Sequence, residues 1–89
     1  MHKISIIVPT FKEADNIPEL TKRIDLALNK TGYKYEIIII DDNSQDGIEK
    51  RVDQLSRQYP VKLKIRFTEK GLSSAVIAGF ELASGDIFF

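Results

Sequence analysis

The sequence predicts an α/β protein, a parallel sheet of about four strands in the order 3-2-1-4 with three helices, and three observations carry that reading. Two runs of β-branched residues are apolar at successive positions without alternation, as suits strands covered on both faces. Between the apolar runs lie segments whose hydrophobic residues recur at steps of three and four, the spacing of one helical face. Short connections alternate strand with helix, so each crossover returns the chain to a parallel neighbour with right-handed sense.

Each element has its own signature. Ile4-Ser5-Ile6-Ile7-Val8 is the first strand, closed by Pro9. Ile17, Leu20, Ile24 and Leu28 form one face of the first helix, with Asn16 as N-cap, Pro18 in the first turn and Gly32 past the end. Glu36-Ile37-Ile38-Ile39-Ile40 is the second strand, buried on both sides. Ile48, Val52, Leu55 and Tyr59 predict the second helix, stopped by Pro60. Residues 61–67 alternate apolar and basic, as a strand with one wet face does. Residues 72–84 form the third helix, with Leu72, Ala75, Val76, Gly79, Leu82 and Ala83 toward the sheet and Gly85 as its stop. The fourth strand begins at Asp86 and ends at Phe89, and an apolar finish of this kind predicts a truncation. The whole reads as one truncated domain spanning residues 1–89, half of a Rossmann-like fold.

Composition narrows the function. Lysine and arginine total 13 against 13 aspartate and glutamate, which supplies no net field toward nucleic acid or an anionic surface, so no nucleic-acid partner is expected. Without cysteine there is no disulfide, no thiolate metal site and no thiol nucleophile. No apolar run approaches the ~20 residues that span a bilayer, and Met1-His2-Lys3 leads directly into a strand, so a soluble, cytoplasmic chain is expected.

Ligands of such sheets bind beyond the carboxyl ends of the strands where strand order reverses, which directs attention to residues 9–15, 41–47 and 67–72. The first loop, Pro9-Thr10-Phe11-Lys12-Glu13, lacks the glycine-rich turn of dinucleotide sites and offers a rigid proline, an aromatic face and a carboxylate. That set can flank a nucleoside by stacking and by hydrogen bonds to ribose, or can be an acidic cluster that caps a helix. In the second loop Asp41 and Asp42 follow four isoleucines, and alternation sends them to opposite sides so that only one faces a ligand. One reading gives Asp42 the base or ribose; the other has Asp41 or Ser44 tying up the turn and Asp46 capping the second helix. Arg66, Lys70 and Gly71 lie at the third helix's start, where a cation and a helix N-terminus favour phosphate. His2, at the opposite end of the first strand, is discounted as a base or ligand.

Taken together, residues 8–17, residues 38–47, and residues 70–75 with 83–86 resemble the inverting family 2 glycosyltransferases of GT-A fold, nearest the polyprenol (dolichyl) phosphate mannose synthase branch. The resemblance implies a donor site for a nucleotide-diphosphate sugar, GDP-mannose above others, in which Pro9, Phe11 and Glu13 contact the nucleoside and Ile40, Asp41 and Asp42 frame base and ribose. It implies a polyprenyl-phosphate acceptor, and a parent enzyme at the cytoplasmic face of a membrane. Where the family more often has Tyr-Asn, this chain has Phe11-Lys12. The family's Asp-x-Asp motif, which holds Mg²⁺ or Mn²⁺ against the diphosphate, is expected only after Asp86, so the chain is read as cut before it, without metal ligands or catalytic residues and inactive by itself. Asp86 matches the Gly-Asp that precedes the motif. The severed strand leaves an edge and an apolar face, which predicts self-association.

Two other readings remain. A phospho-receiver domain is also doubly wound, but its acidic pair follows the first strand, whereas Asp41-Asp42 follows the second. A stand-alone nucleotide-binding or scaffold module without catalysis is the alternative for this chain.

Overall fold

The structure, a computed structural model, describes residues 3–67, 72–83, 85, 87 and 88. In chain order the elements are β1 (Lys3–Thr10), α1 (Ile17–Asn29), β2 (Lys34–Asp41), α2 (Ile48–Leu55), β3 (Val61–Ile65), α3 (Leu72–Leu82) and β4 (Ile87–Phe88), with a short 3-10 turn over Ala14–Asn16. The strands form one parallel sheet in the order β3-β2-β1-β4, as the sequence predicts.

The isoleucine run of β2 shows why its sequence does not alternate. Tyr35, Ile37 and Ile39 pack with Ile17 of α1 and with Ile48 and Val52 of α2, while Ile38 and Ile40 pack with Ile7 and Ala78 of α3 on the other face. Every residue from Tyr35 to Asp41 is buried. Burying an isoleucine side chain contributes about 1.5–3 kcal/mol, so this strand is the main apolar anchor of the sheet. On β3 Val61 and Leu63 enter the α1 and α2 side, and Lys62 and Lys64 are exposed.

Several local expectations are corrected. Pro9 does not close β1: the strand continues to Thr10, with Pro9 level with Ile40. The Thr10 carbonyl accepts from Asp42 N–H, so the neighbouring Pro9 points its missing donor toward the β4 side, where among the described residues pairing covers Ile4 and Ser5. On α1 the buried face uses Thr21, and Leu20 is exposed. Asn16 stands at the N-cap, but its amide donates to Glu13 Oε2 at 2.6 Å instead of capping the helix. α2 stops at Leu55, and Tyr59 N–H continues to the Leu55 carbonyl through turns. On α3 Leu82 is exposed, because Ala78 and Gly79 make the close approach to the sheet.

One buried charge had no signature in the sequence. Glu36, 2% exposed, accepts a hydrogen bond from Ser5 Oγ at 2.6 Å and lies 2.9 Å from Lys62 Nζ and 3.8 Å from Lys3 Nζ. Ser5 Oγ in turn accepts from Gly85 N–H at 3.0 Å, which docks the α3–β4 connection onto β1. A Cβ at Gly85 would stand 2.4 Å from Ser5 Oγ and 2.7 Å from the Lys3 carbonyl oxygen, and that backbone oxygen cannot yield. Among the described residues no helix is long and apolar enough to cross a membrane.

Two outcomes are expected from this packing. Gly85→Ala should lower stability by about 1–3 kcal/mol, the usual cost of overpacking, read as a fall in the urea midpoint; an unchanged midpoint would mean that the connection is not docked as described. Tyr35 is buried and donates its hydroxyl to Asp25 Oδ1; burial first, then the Asp25 bond and its negative charge, raise the phenol above its ordinary value. A raised acid favours the protonated folded state, so its contribution is complete below the unfolded value of about 10 and is lost as pH rises beyond it. Thermal melts from pH 8 to 11 should therefore decline less steeply for Tyr35→Phe than for the unaltered chain.

Candidate functional site

At the carboxyl edge of the sheet the strand ends are level: Thr10 of β1 lies beside Asp41 of β2, and Asp41 beside Ile65 of β3. The ladder runs one step further, with Asp42 N–H donating to the Thr10 carbonyl and Arg66 N–H to the Asp41 carbonyl. Two loops leave this edge, and both turn sharply. Lys12, Asn43 and Gln45 have φ of 57°, 52° and 54°, left-handed backbone that non-glycine residues adopt only at a cost, and Gly47 follows at 86°.

Hydrogen bonds between the loops hold these turns. Asp41, fully buried, accepts from Thr10 Oγ1 at 2.8 Å, Ser44 N–H at 2.9 Å and Ser44 Oγ at 2.8 Å. Ser44 Oγ accepts from Lys12 N–H at 2.6 Å, and Asp46 Oδ2 accepts from Ala14 N–H at 3.1 Å. Residues 10, 12 and 14 of the first loop are thus tied to the second loop. Phe11 and Glu13, between the ties, are exposed, with Phe11 at 53%. The Lys12 ammonium lies 5.3 Å from the Phe11 ring centroid, and Glu13 Oε2 accepts from Asn16 Nδ2. Asp15 pairs with Arg51 at 2.7 Å, a bond between exposed groups that fastens the turn to α2.

Asp42 points to the opposite side from Asp41, as alternation requires, and meets Arg66. Arg66 Nε and Nη2 donate to Asp42 Oδ1 at 2.9 and 2.6 Å, and the guanidinium is nearly enclosed. Arg66 therefore orients a carboxylate; the expectation that it stands ready for phosphate is corrected, because its charge is already engaged. Asp42 keeps partial exposure, and among the described residues no donor is recorded on its Oδ2.

The six residues singled out in the sequence fall into two groups. Phe11, Glu13 and Asp42 present faces or oxygens to solvent at one edge, with the half-buried Pro9 at the end of β1 behind them. Asp41 and Ile40 do not: Asp41 is consumed by the loop bonds, and Ile40 is fully enclosed in the cluster with Ile38 and Ala78. Neither side chain has exposed surface in this structure. Asp46 is corrected from helix cap to loop tie, since Gly47 is the N-cap of α2 and no side chain caps the helix. Lys70, Gly71, Asp86 and His2 lie outside the described residues. Phe67, 70% exposed directly after Arg66, joins the edge without having been singled out as a site residue; an aromatic beside a strand end was the available signal.

A divalent cation needs several oxygens converging on one point. Here the two neighbouring carboxylates diverge, one saturated by hydrogen bonds and the other facing a guanidinium, so they do not fit a metal site. Among the described residues no group of three or more His, Cys, Asp or Glu side chains could hold an ion.

A parallel α/β sheet with exposed aromatic and acidic groups on braced loops at its carboxyl edge defines a fold of Rossmann type. Residues 5–89 match the family described as glycosyl transferase family 2, and the chain belongs to that family. It is 52% identical over 86 residues to a dolichol-phosphate mannosyltransferase from Pyrococcus furiosus, covering 97% of this chain and 24% of that protein. It is 46% identical over 83 residues to the Saccharomyces cerevisiae dolichol-phosphate mannosyltransferase, covering 91% of this chain and 31% of the relative. The fold superposes on a Pyrobaculum calidifontis mannosyltransferase solved with GDP-Man and Mn²⁺, with a TM-score of 0.69 at 24% identity, over 96% of this chain and 25% of that one. The chain thus spans about a quarter to a third of the length of these proteins.

The Asp42–Arg66 contact should be energetically coupled. A double-mutant cycle with Asp42→Asn and Arg66→Gln is expected to give an interaction energy of about 0.5–3 kcal/mol in urea unfolding. Additivity within about 0.3 kcal/mol would show that the pair is not formed in solution.

Proposed function

We propose that this chain is the donor-nucleotide-binding part of a glycosyltransferase that moves mannose from GDP-mannose to a polyprenyl phosphate. The observation that carries the reading is the alternation along the first loop: residues 10, 12 and 14 are fixed to the second loop, and Phe11 and Glu13 between them are left to face a ligand. The names of the relatives and the GDP-Man complex of the structural neighbour support the choice of sugar and base.

In this reading the chain binds and orients. The Phe11 ring offers a face for a nucleobase or ribose, and Pro9 limits the freedom of the strand end that carries it. Glu13 and Asp42 are acceptors for ribose hydroxyls or base N–H groups, and Arg66 holds Asp42 in one rotamer by two bonds to a single oxygen. Burial of Arg66 strengthens that hold, because the pair is screened less than an exposed one. The leaving diphosphate needs its developing charge neutralised. Asp41 is saturated by hydrogen bonds and Asp42 turns to Arg66, so the two do not converge on a cation that would neutralise it, and the chain's part in this reading is to bind the nucleoside.

Titrating GDP into the labelled chain should shift backbone resonances of residues 9–13 and 41–46, with affinity of roughly millimolar, about 4 kcal/mol. Shifts confined to the amino ends of the strands would refute the placement. Phe11→Ala should weaken binding by about 1–3 kcal/mol, the usual contribution of an aromatic stack on a base. Millimolar Mn²⁺ should leave the affinity unchanged; a tenfold gain, about 1.4 kcal/mol, would put a metal site within these residues.

A further inference from the structure

Ser44 was not assigned a ligand contact by any consideration above, yet it occupies the one point where both loops and the buried carboxylate meet. Its hydroxyl donates to Asp41 Oδ1 at 2.8 Å and accepts from Lys12 N–H at 2.6 Å, and its own N–H donates to Asp41 Oδ2 at 2.9 Å. A hydroxyl can do both because it carries one proton and two lone pairs, and the Asp41 carboxylate, an acceptor only, compels the proton toward itself. The lone pair so freed faces Lys12, the residue whose left-handed backbone reverses the first loop between Phe11 and Glu13.

We propose that Ser44 is a positioning residue for nucleotide binding: it fixes the Lys12 backbone and thereby the relative placement of Phe11 and Glu13. Asp41 acts through Ser44 and Thr10 and does not touch the ligand. The inference rests on the donor-site reading above and adds the origin of its pre-organisation. Without the Ser44 hydroxyl the Lys12 amide, at an exposed position, turns to water, and the left-handed turn loses the bond that offsets its cost. The loop then samples other backbone conformations, in which the relative placement of Phe11 and Glu13 is no longer fixed on one ligand. The loss falls on binding more than on folding, because the sheet and its isoleucine core do not depend on this bond.

The test compares the unaltered chain with Ser44→Ala, Ser44→Thr and Ser44→Cys, using GDP as the probe. Three readouts are taken: GDP affinity, hydrogen exchange at the Lys12 amide, and the urea midpoint. Ser44→Ala is expected to weaken GDP binding about tenfold and to speed Lys12 exchange, with Ser44→Thr restoring both because it keeps the hydroxyl. Ser44→Cys, whose thiol is a poorer donor and acceptor, should fall between them, and it serves as the loosened variant if the alanine variant does not fold. GDP binding by Ser44→Ala or by Ser44→Cys equal to that of the unaltered chain overturns this inference alone. A loss of affinity that Ser44→Thr fails to restore also overturns it. Absence of GDP binding by the unaltered chain overturns the donor-site reading and this inference with it.

Discussion

The carboxyl edge of this sheet is organised by one buried carboxylate. Asp41 ends a strand sealed on both faces, and an ion in such a place is costly unless its oxygens are met by donors. The chain supplies three, from Thr10 on the neighbouring strand and from the hydroxyl and amide of Ser44 in its own loop. Satisfying Asp41 therefore brings the ends of β1 and β2 together. The demand of one charge for partners becomes the geometry of two loops.

A division of labour within a short acidic motif follows. Asp41, Ser44 and Asp46 hold the first loop, while Asp42 turns to Arg66. Asp41 and Asp42 are thus separated by the two-residue period of the strand, which sends neighbours to opposite faces. The first loop repeats the logic, with Thr10, Lys12 and Ala14 anchored and Phe11 and Glu13 displayed. Left-handed backbone at Lys12, Asn43 and Gln45 fits the same picture, since strain of this kind persists only where surrounding bonds over-determine it.

A second polar centre lies away from this edge. Glu36, Ser5 and Gly85 are far apart in the chain and meet beside β1 just before β4, where Lys62 and Lys3 balance the charge. The absence of a Cβ at Gly85 is what permits the approach. This contact seats β4 beside β1 in parallel, so that β4 runs toward the edge where the two loops meet.

Periodicity and residue type determined the parallel α/β fold, the strand order, the two-sided burial of Ile37 to Ile40 and the edge at which to look for a site, because these depend on local pattern and on the few topologies that short crossovers allow. The exposure of Phe11 and Glu13 and the partial exposure of Asp42 were likewise legible, since aromatic and acidic residues at strand ends are what loops display. Only the tertiary structure decided that Asp41 is a brace, that Ile40 lies in the core, that Arg66 answers Asp42 and not a phosphate, and that Ser44 joins the loops. Each of those depends on partners 24 to 32 residues away, or on which side of a residue is covered. Sequence spacing fixes which face a side chain takes; what waits for it on that face is settled by packing between segments that no local pattern records.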